Sequence, residues 1–150
     1  MKYFKINEFD SSDAPGTGAK MKAGTLQKLD RARERAGIPF RINSGFRTAA
    51  HNRAVGGATN SAHTTGNAVD IAFSGRQQDF DIIVNALIDA GFTRIGVARN
   101  YIHADDSPNL PSPAVWIYSN DQTSLARQDS TRKLLQKKTA ICPCCGRELD

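Results

Sequence analysis

Ser61-Ala62-His63-Thr64-Thr65-Gly66-Asn67-Ala68-Val69-Asp70 joins a polar, glycine-containing loop to an apolar run at 68–73, with a histidine in the loop and a carboxylate in the run. A short apolar run of this kind reads as a buried strand. Asp70 interrupts it, and a buried carboxylate is costly unless it is paired or bound to a cation. Farther on, His103 and Asp105 stand two apart in a strand at 101–105. Both then project from one face while Ile102 and Ala104 take the other. Two histidines and one aspartate can therefore converge from adjacent strands. Two neutral imidazoles and one carboxylate leave net positive charge on a divalent zinc and a fourth position for water, which is a catalytic arrangement rather than a closed structural one. Water in that position is acidified towards neutrality and can attack an amide carbonyl polarised by the metal. The other reading of a histidine near a strand is a hydrogen-bonded structural residue, and the residues alone leave both open.

Around this stretch the chain alternates helical and strand patterns. Residues 9–22 are dense in turn formers and read as an ordered loop. Leu26, Leu29, Ala32 and Ala36 recur at helical spacing before Gly37 and Pro39, giving a helix at 24–36 and a short strand at 40–43. A brief helix fits 48–55. Phe80, Ile83, Val84, Leu87 and Ile88 define a second amphipathic helix over 77–90, closed by Gly91. Strand patterns follow at 94–97, 101–105 and 114–118. The expected fold class is α+β, with helices packed on a small, mainly antiparallel sheet. In the last strand Trp116 and Tyr118 alternate with Val115 and Ile117, and core packing is the expected role of the two aromatics.

The 150 residues suffice for one compact domain plus an appendage. Composition becomes polar and basic after Tyr118, which places a boundary near residue 120: a main domain at 1–120 and a basic tail at 121–150, helical at most around 125–135. Apolar residues make up 39% and charged residues 23%, which excludes a wholly disordered chain or a membrane protein. No run approaches the roughly 20 apolar residues of a bilayer span, so no membrane insertion is expected. The start, Met1-Lys2-Tyr3-Phe4-Lys5, has no secretory signal pattern. The net charge is +5, with Lys and Arg outnumbering Asp and Glu six to three over 125–150. Such a surface favours polyanions in general, and nucleic-acid binding through the tail is the weakest of the functional readings.

The run Ser44-Gly45-Phe46-Arg47-Thr48, then His51-Asn52, Val55-Gly56-Gly57, the Ser61-x-His63-x-x-Gly66-x-Ala68-x-Asp70 pattern, Gly96 and finally Tyr101-Ile102-His103-Ala104-Asp105 resembles the zinc D-alanyl-D-alanine carboxypeptidase family, over about residues 4–118. The resemblance implies the small α+β fold shared with hedgehog-type proteins, and Zn2+ held by His63, Asp70 and His103. It makes Arg47 the arginine that binds a substrate carboxylate or stabilises an oxyanion, the alternative being a salt bridge that braces the loop. Asn52 and Ser61 match positions lining the substrate groove, and each fits a local hydrogen-bonding role as well. Several relatives carry Glu three residues before the last histidine ligand, where this chain has Asn100. Asp105 is then the candidate general base, with orientation of a ligand from behind as its other role. Asp106 is a poorer choice, and His51 falls outside the metal shell as a surface or loop brace.

The implied activity is hydrolysis of D-amino-acid-containing peptide bonds in peptidoglycan stem peptides, as a carboxypeptidase or as an endopeptidase of the phage-lysin type. The alternative is a non-catalytic, zinc-containing wall-binding module of a phage or prophage. Without a signal sequence the protein is expected to stay cytoplasmic until released, or to be virion-associated, before acting on the cell wall. Cys142, Cys144 and Cys145 supply one C-x-x-C pair, half of a structural zinc site. That leaves tail-mediated self-association through a shared metal, a redox pair or an inert tail.

Overall fold

The computed structural model describes residues 1–139. Five strands, β1 (Arg41–Ser44), β2 (Ala68–Ala72), β3 (Arg94–Val97), β4 (Tyr101–Asp105) and β5 (Ala114–Ile117), form one sheet in the order β1-β2-β4-β3-β5. All pairings are antiparallel except β3 with β5. The helices are α1 (Ala23–Ala36), α2 (Ala49–Ala54), α3 (Gln77–Asp89) and α4 (Gln122–Thr139). The α+β class with a mainly antiparallel sheet is as the sequence leads one to expect. Cys142, Cys144 and Cys145 lie outside the described residues.

The two faces of the sheet differ because each strand alternates. Val69, Ile71, Ile95, Val97, Ile102 and Ala104 are fully buried and join one core with Leu26 and Leu29 of α1 and Phe80, Ile83, Val84 and Leu87 of α3. Complete burial of an aliphatic side chain contributes about 1.5–3 kcal/mol, so this face supplies much of the folding drive. α1 ends where Gly37 takes a left-handed φ of 65° and donates its N–H to Arg33 O, the usual glycine stop.

The opposite face carries the chemistry. The register runs Ser44, Asp70, His103, Gly96 and Trp116 side by side across all five strands. A bulge between Ile42 and Ser44 sets Ser44 opposite Asp70 and re-aims the chain that leaves β1. Trp116 and Tyr118 belong to this face, whereas Val115 and Ile117 pack against the core. The expectation that the two aromatics fill the core is corrected here. The parity of the strand is set by Gly96 on its neighbour, where a Cβ would come within 2.8 Å of both rings.

α4 is longer than the helical stretch expected at 125–135, and it lies against β5, β3 and α3. Leu135 is buried in the common core. Arg127 is buried too, its guanidinium donating to Gln77 Oε1, Arg99 O and Gly75 O at 3.0, 3.1 and 2.6 Å and stacking over Phe73 and Phe80.

Candidate metal centre

His63 sits on a single 3-10 turn, Ala62–Thr65, in front of β2. Ser61 caps that turn by accepting from His63 N at 3.3 Å, and Gly66 closes it at φ 76°. A Cβ on Gly66 would strike Lys20 O at 2.3 Å, so glycine is required both by backbone angle and by space. The half-buried Ser61 therefore positions His63, and it is not among the residues that line the cleft.

Each imidazole is oriented from behind by an acceptor. His63 Nδ1 lies 2.6 Å from Gly45 O. A carbonyl only accepts, so Nδ1 carries the proton and Nε2 presents its lone pair. His103 Nε2 lies 3.0 Å from Asp105 Oδ2, so its proton is on Nε2 and its lone pair on Nδ1. Those lone pairs meet: His63 Nε2 and His103 Nδ1 are 3.2 Å apart, and Asp70 Oδ1 is 3.2 Å from the first and 2.8 Å from the second. One ligand atom from each of His63, Asp70 and His103 falls within 4.8 Å of the others, and all three residues are buried. Three acceptors so close repel one another unless a proton or a cation lies among them. Two imidazole nitrogens and a carboxylate oxygen are the donor set of a catalytic zinc site, so the residues fit the metal.

The titration of these groups has the same sense. Burial pushes the Asp70 carboxyl up, but the two imidazoles, His103 first, outweigh it and hold the group well below the usual carboxylate range. Burial lowers His63, and Asp70 offsets this only in part. For His103 burial is again the largest influence, yet the carboxylates of Asp105 and Asp70 on its two sides reverse it and raise the group.

Arg47 Nη2 donates to Asp70 Oδ2 at 2.5 Å and Nε to Ser44 Oγ at 2.8 Å. The bracing salt bridge is thus present, and the same side chain lines a cleft of about 320 Å³ together with Asp70, His51 and Tyr101. A larger hollow of about 570 Å³ lies against Arg41, Phe73 and Arg76. It contains none of the three converging residues, and its Asp79 is paired with Arg76, so the smaller cleft is the one that matters here. An aromatic wall flanks the centre, with Trp116 5.3 Å from the His103 ring and Tyr118 packed on Tyr101 at 5.4 Å.

For Asp105 and Asn52 the geometry favours the second of the two roles the sequence left open, and Asp106 stays the poorer choice. Asp105 is 1% exposed, and besides His103 it accepts from Arg94 Nε and Ser107 N at 2.9 and 3.1 Å. Both of its oxygens are committed behind the ring and away from the cleft, so the geometry supports the orienting role rather than that of general base. Asn52 is 3% exposed and donates to Ala58 O at 2.8 Å. It is packed against Gly57, where a Cβ would fall 2.1 Å from its Oδ1, and it braces that loop instead of lining the groove. Asp106 is tied to α1 by Thr25 and Lys28 at 2.7 and 2.9 Å.

A family model described as peptidase M15 matches residues 2–105, more than half of the chain. The chain belongs to the peptidase M15 family. Among curated M15 relatives, the zinc D-Ala-D-Ala carboxypeptidase of Streptomyces albus G is 33% identical over 61% of this chain and 39% of its own length. This M15 chain therefore spans well under half the length of that relative. The matched stretch contains β1 to β4 and every residue of the three-ligand cluster.

Proposed function

We propose that this chain is a zinc-dependent peptidase that hydrolyses D-amino-acid-containing peptide bonds of bacterial peptidoglycan, with His63, Asp70 and His103 as the metal ligands. The observation that carries the reading is the meeting of two imidazole lone pairs and one carboxylate oxygen beside an open cleft. Bound zinc would polarise the scissile carbonyl and acidify water. The name of the Streptomyces relative, a zinc D-Ala-D-Ala carboxypeptidase, supports D-Ala-containing peptides as the substrate class. Arg47 contributes a fixed cation at the cleft, able to take a substrate carboxylate or a developing oxyanion. Ser61 and Asp105 orient the ligands, one through the turn of His63 and the other through the His103 ring. Release from the cytoplasm by lysis, or carriage in a virion, would bring the protein to the wall. Among the described residues no helix is long and apolar enough to cross a membrane.

A second reading keeps the metal and the peptide site but not turnover, as a wall-binding module. Asn100 in the place of a glutamate and the engagement of both Asp105 oxygens favour it. Digestion of purified peptidoglycan, analysed by mass spectrometry with chelator and with zinc restored, decides between the two. Zinc-dependent products, lost in His63→Ala, establish the peptidase, and their masses give the bond that is cut. Tight binding to wall fragments without products establishes the module.

A further inference from the structure

Hydrolysis of an amide needs a group that accepts a proton from the attacking water and returns it to the leaving amine. Asn100 cannot do this, Asp105 faces away, and Asp106 is bound to α1. The ionisable groups that line the cleft are Arg47, His51, Asp70 and Tyr101. Arg47 stays charged. Asp70 is held by the two histidines and Arg47. Burial raises the Tyr101 hydroxyl, which keeps its proton near neutrality. His51 remains.

The contact with Ser11 points to one tautomer of its ring. Ser11, which is buried, has one hydroxyl proton, and Asp13 Oδ1 lies 2.5 Å from its oxygen as acceptor. Ser11 Oγ therefore accepts its other two contacts, from Thr48 N at 3.1 Å and from His51 Nδ1 at 3.0 Å. Ser12 Oγ also lies 3.2 Å from Nδ1 and 3.4 Å from Nε2, and its rotatable hydroxyl can donate to whichever ring nitrogen lacks a proton. With Nδ1 donating to Ser11, the proton of the neutral ring is on Nδ1, and Nε2 carries the lone pair. The Asp13-Ser11-His51 chain is anchored at its far end by Thr48, whose hydroxyl donates to Asp13 Oδ2 at 2.5 Å and which caps α2.

Resting on the peptidase reading above, we infer that His51 is the proton carrier of the reaction. Water gives a proton to His51 Nε2 as its oxygen bonds to the scissile carbonyl carbon. The same proton passes to the amide nitrogen as the C–N bond breaks, so His51 ends neutral and the products are an acid and an amine. General acid-base catalysis of this kind contributes about 10²- to 10⁴-fold in rate.

The test compares the full chain with its His51→Gln and His51→Ala variants, each loaded with zinc and checked for metal content and thermal midpoint. The expected result is kcat lowered about 100-fold or more in both, with KM and zinc content close to those of the parent. Long-range ¹H–¹⁵N spectra of the parent should show the ring protonated on Nδ1. Variants that turn over within about twofold of an active parent, or a ring protonated on Nε2, overturn the assignment and leave the peptidase standing. A zinc-loaded parent that cuts no wall peptide overturns the peptidase reading, and this inference falls with it.

Discussion

The lone pairs of His63 and His103 are set by what stands behind each ring, a backbone carbonyl in one case and the Asp105 carboxylate in the other. Such partners fix ring orientation and raise ligand basicity, and losing one typically costs 10- to 100-fold in metal affinity. Asp105→Asn should therefore lower zinc affinity about 10- to 100-fold, measured by competition with a chelator, while the fold is retained. Unchanged affinity with a kcat lowered beyond 100-fold would instead return Asp105 to the role of base. At this scale the convergence of His63, Asp70 and His103 was legible through the resemblance of their motifs to the zinc carboxypeptidase family, since the residues alone left a structural histidine equally open. The direction of Asp105 was not, since two positions on the same strand face can look towards a metal or past it. The parity of Trp116 and Tyr118 was equally hidden, as Val115 and Ile117 are just as apolar; the deciding feature is the space above Gly96.

Among the elements, α4 departs furthest from what its composition suggests. Its residues are mostly polar, yet Ser124, Arg127, Thr131 and Leu135 are buried at spacings of three and four. That periodicity marks one face of a helix, but serine, threonine and arginine read as surface in a sequence. Arg127 can be buried because all its donors toward the body find carbonyl or amide oxygens and its plane lies over two phenylalanine rings. Leu135→Ala should destabilise the protein by about 2–5 kcal/mol, the range for a buried leucine, in urea unfolding. A change below about 0.5 kcal/mol, as for a surface position, would mean that α4 adds little to the body. α1, α3 and the sheet strands lay closer to their expected bounds, since their apolar periods are strong and Gly37 and Gly91 punctuate them.

For the molecule as a whole, the sheet divides the labour. One face and its helices form the core, and the other presents a row of side chains whose chemistry needs them near an open cleft. The family resemblance, read over about residues 4–118, agrees with the M15 match, which covers residues 2–105. The matched part ends before β5 and α4, so Trp116, Tyr118 and α4 are features that the match does not cover. The cysteines near the chain end offer sulfur ligands of their own, and they give the central claim a spectroscopic alternative. X-ray absorption at the zinc edge of the full chain, loaded with one equivalent of metal, separates them. Nitrogen and oxygen neighbours at about 2.0–2.2 Å, with imidazole scattering that is lost in His63→Ala, are the predicted result. Sulfur neighbours at about 2.3 Å, or a spectrum untouched by that substitution, would contradict a metal centre at His63, Asp70 and His103.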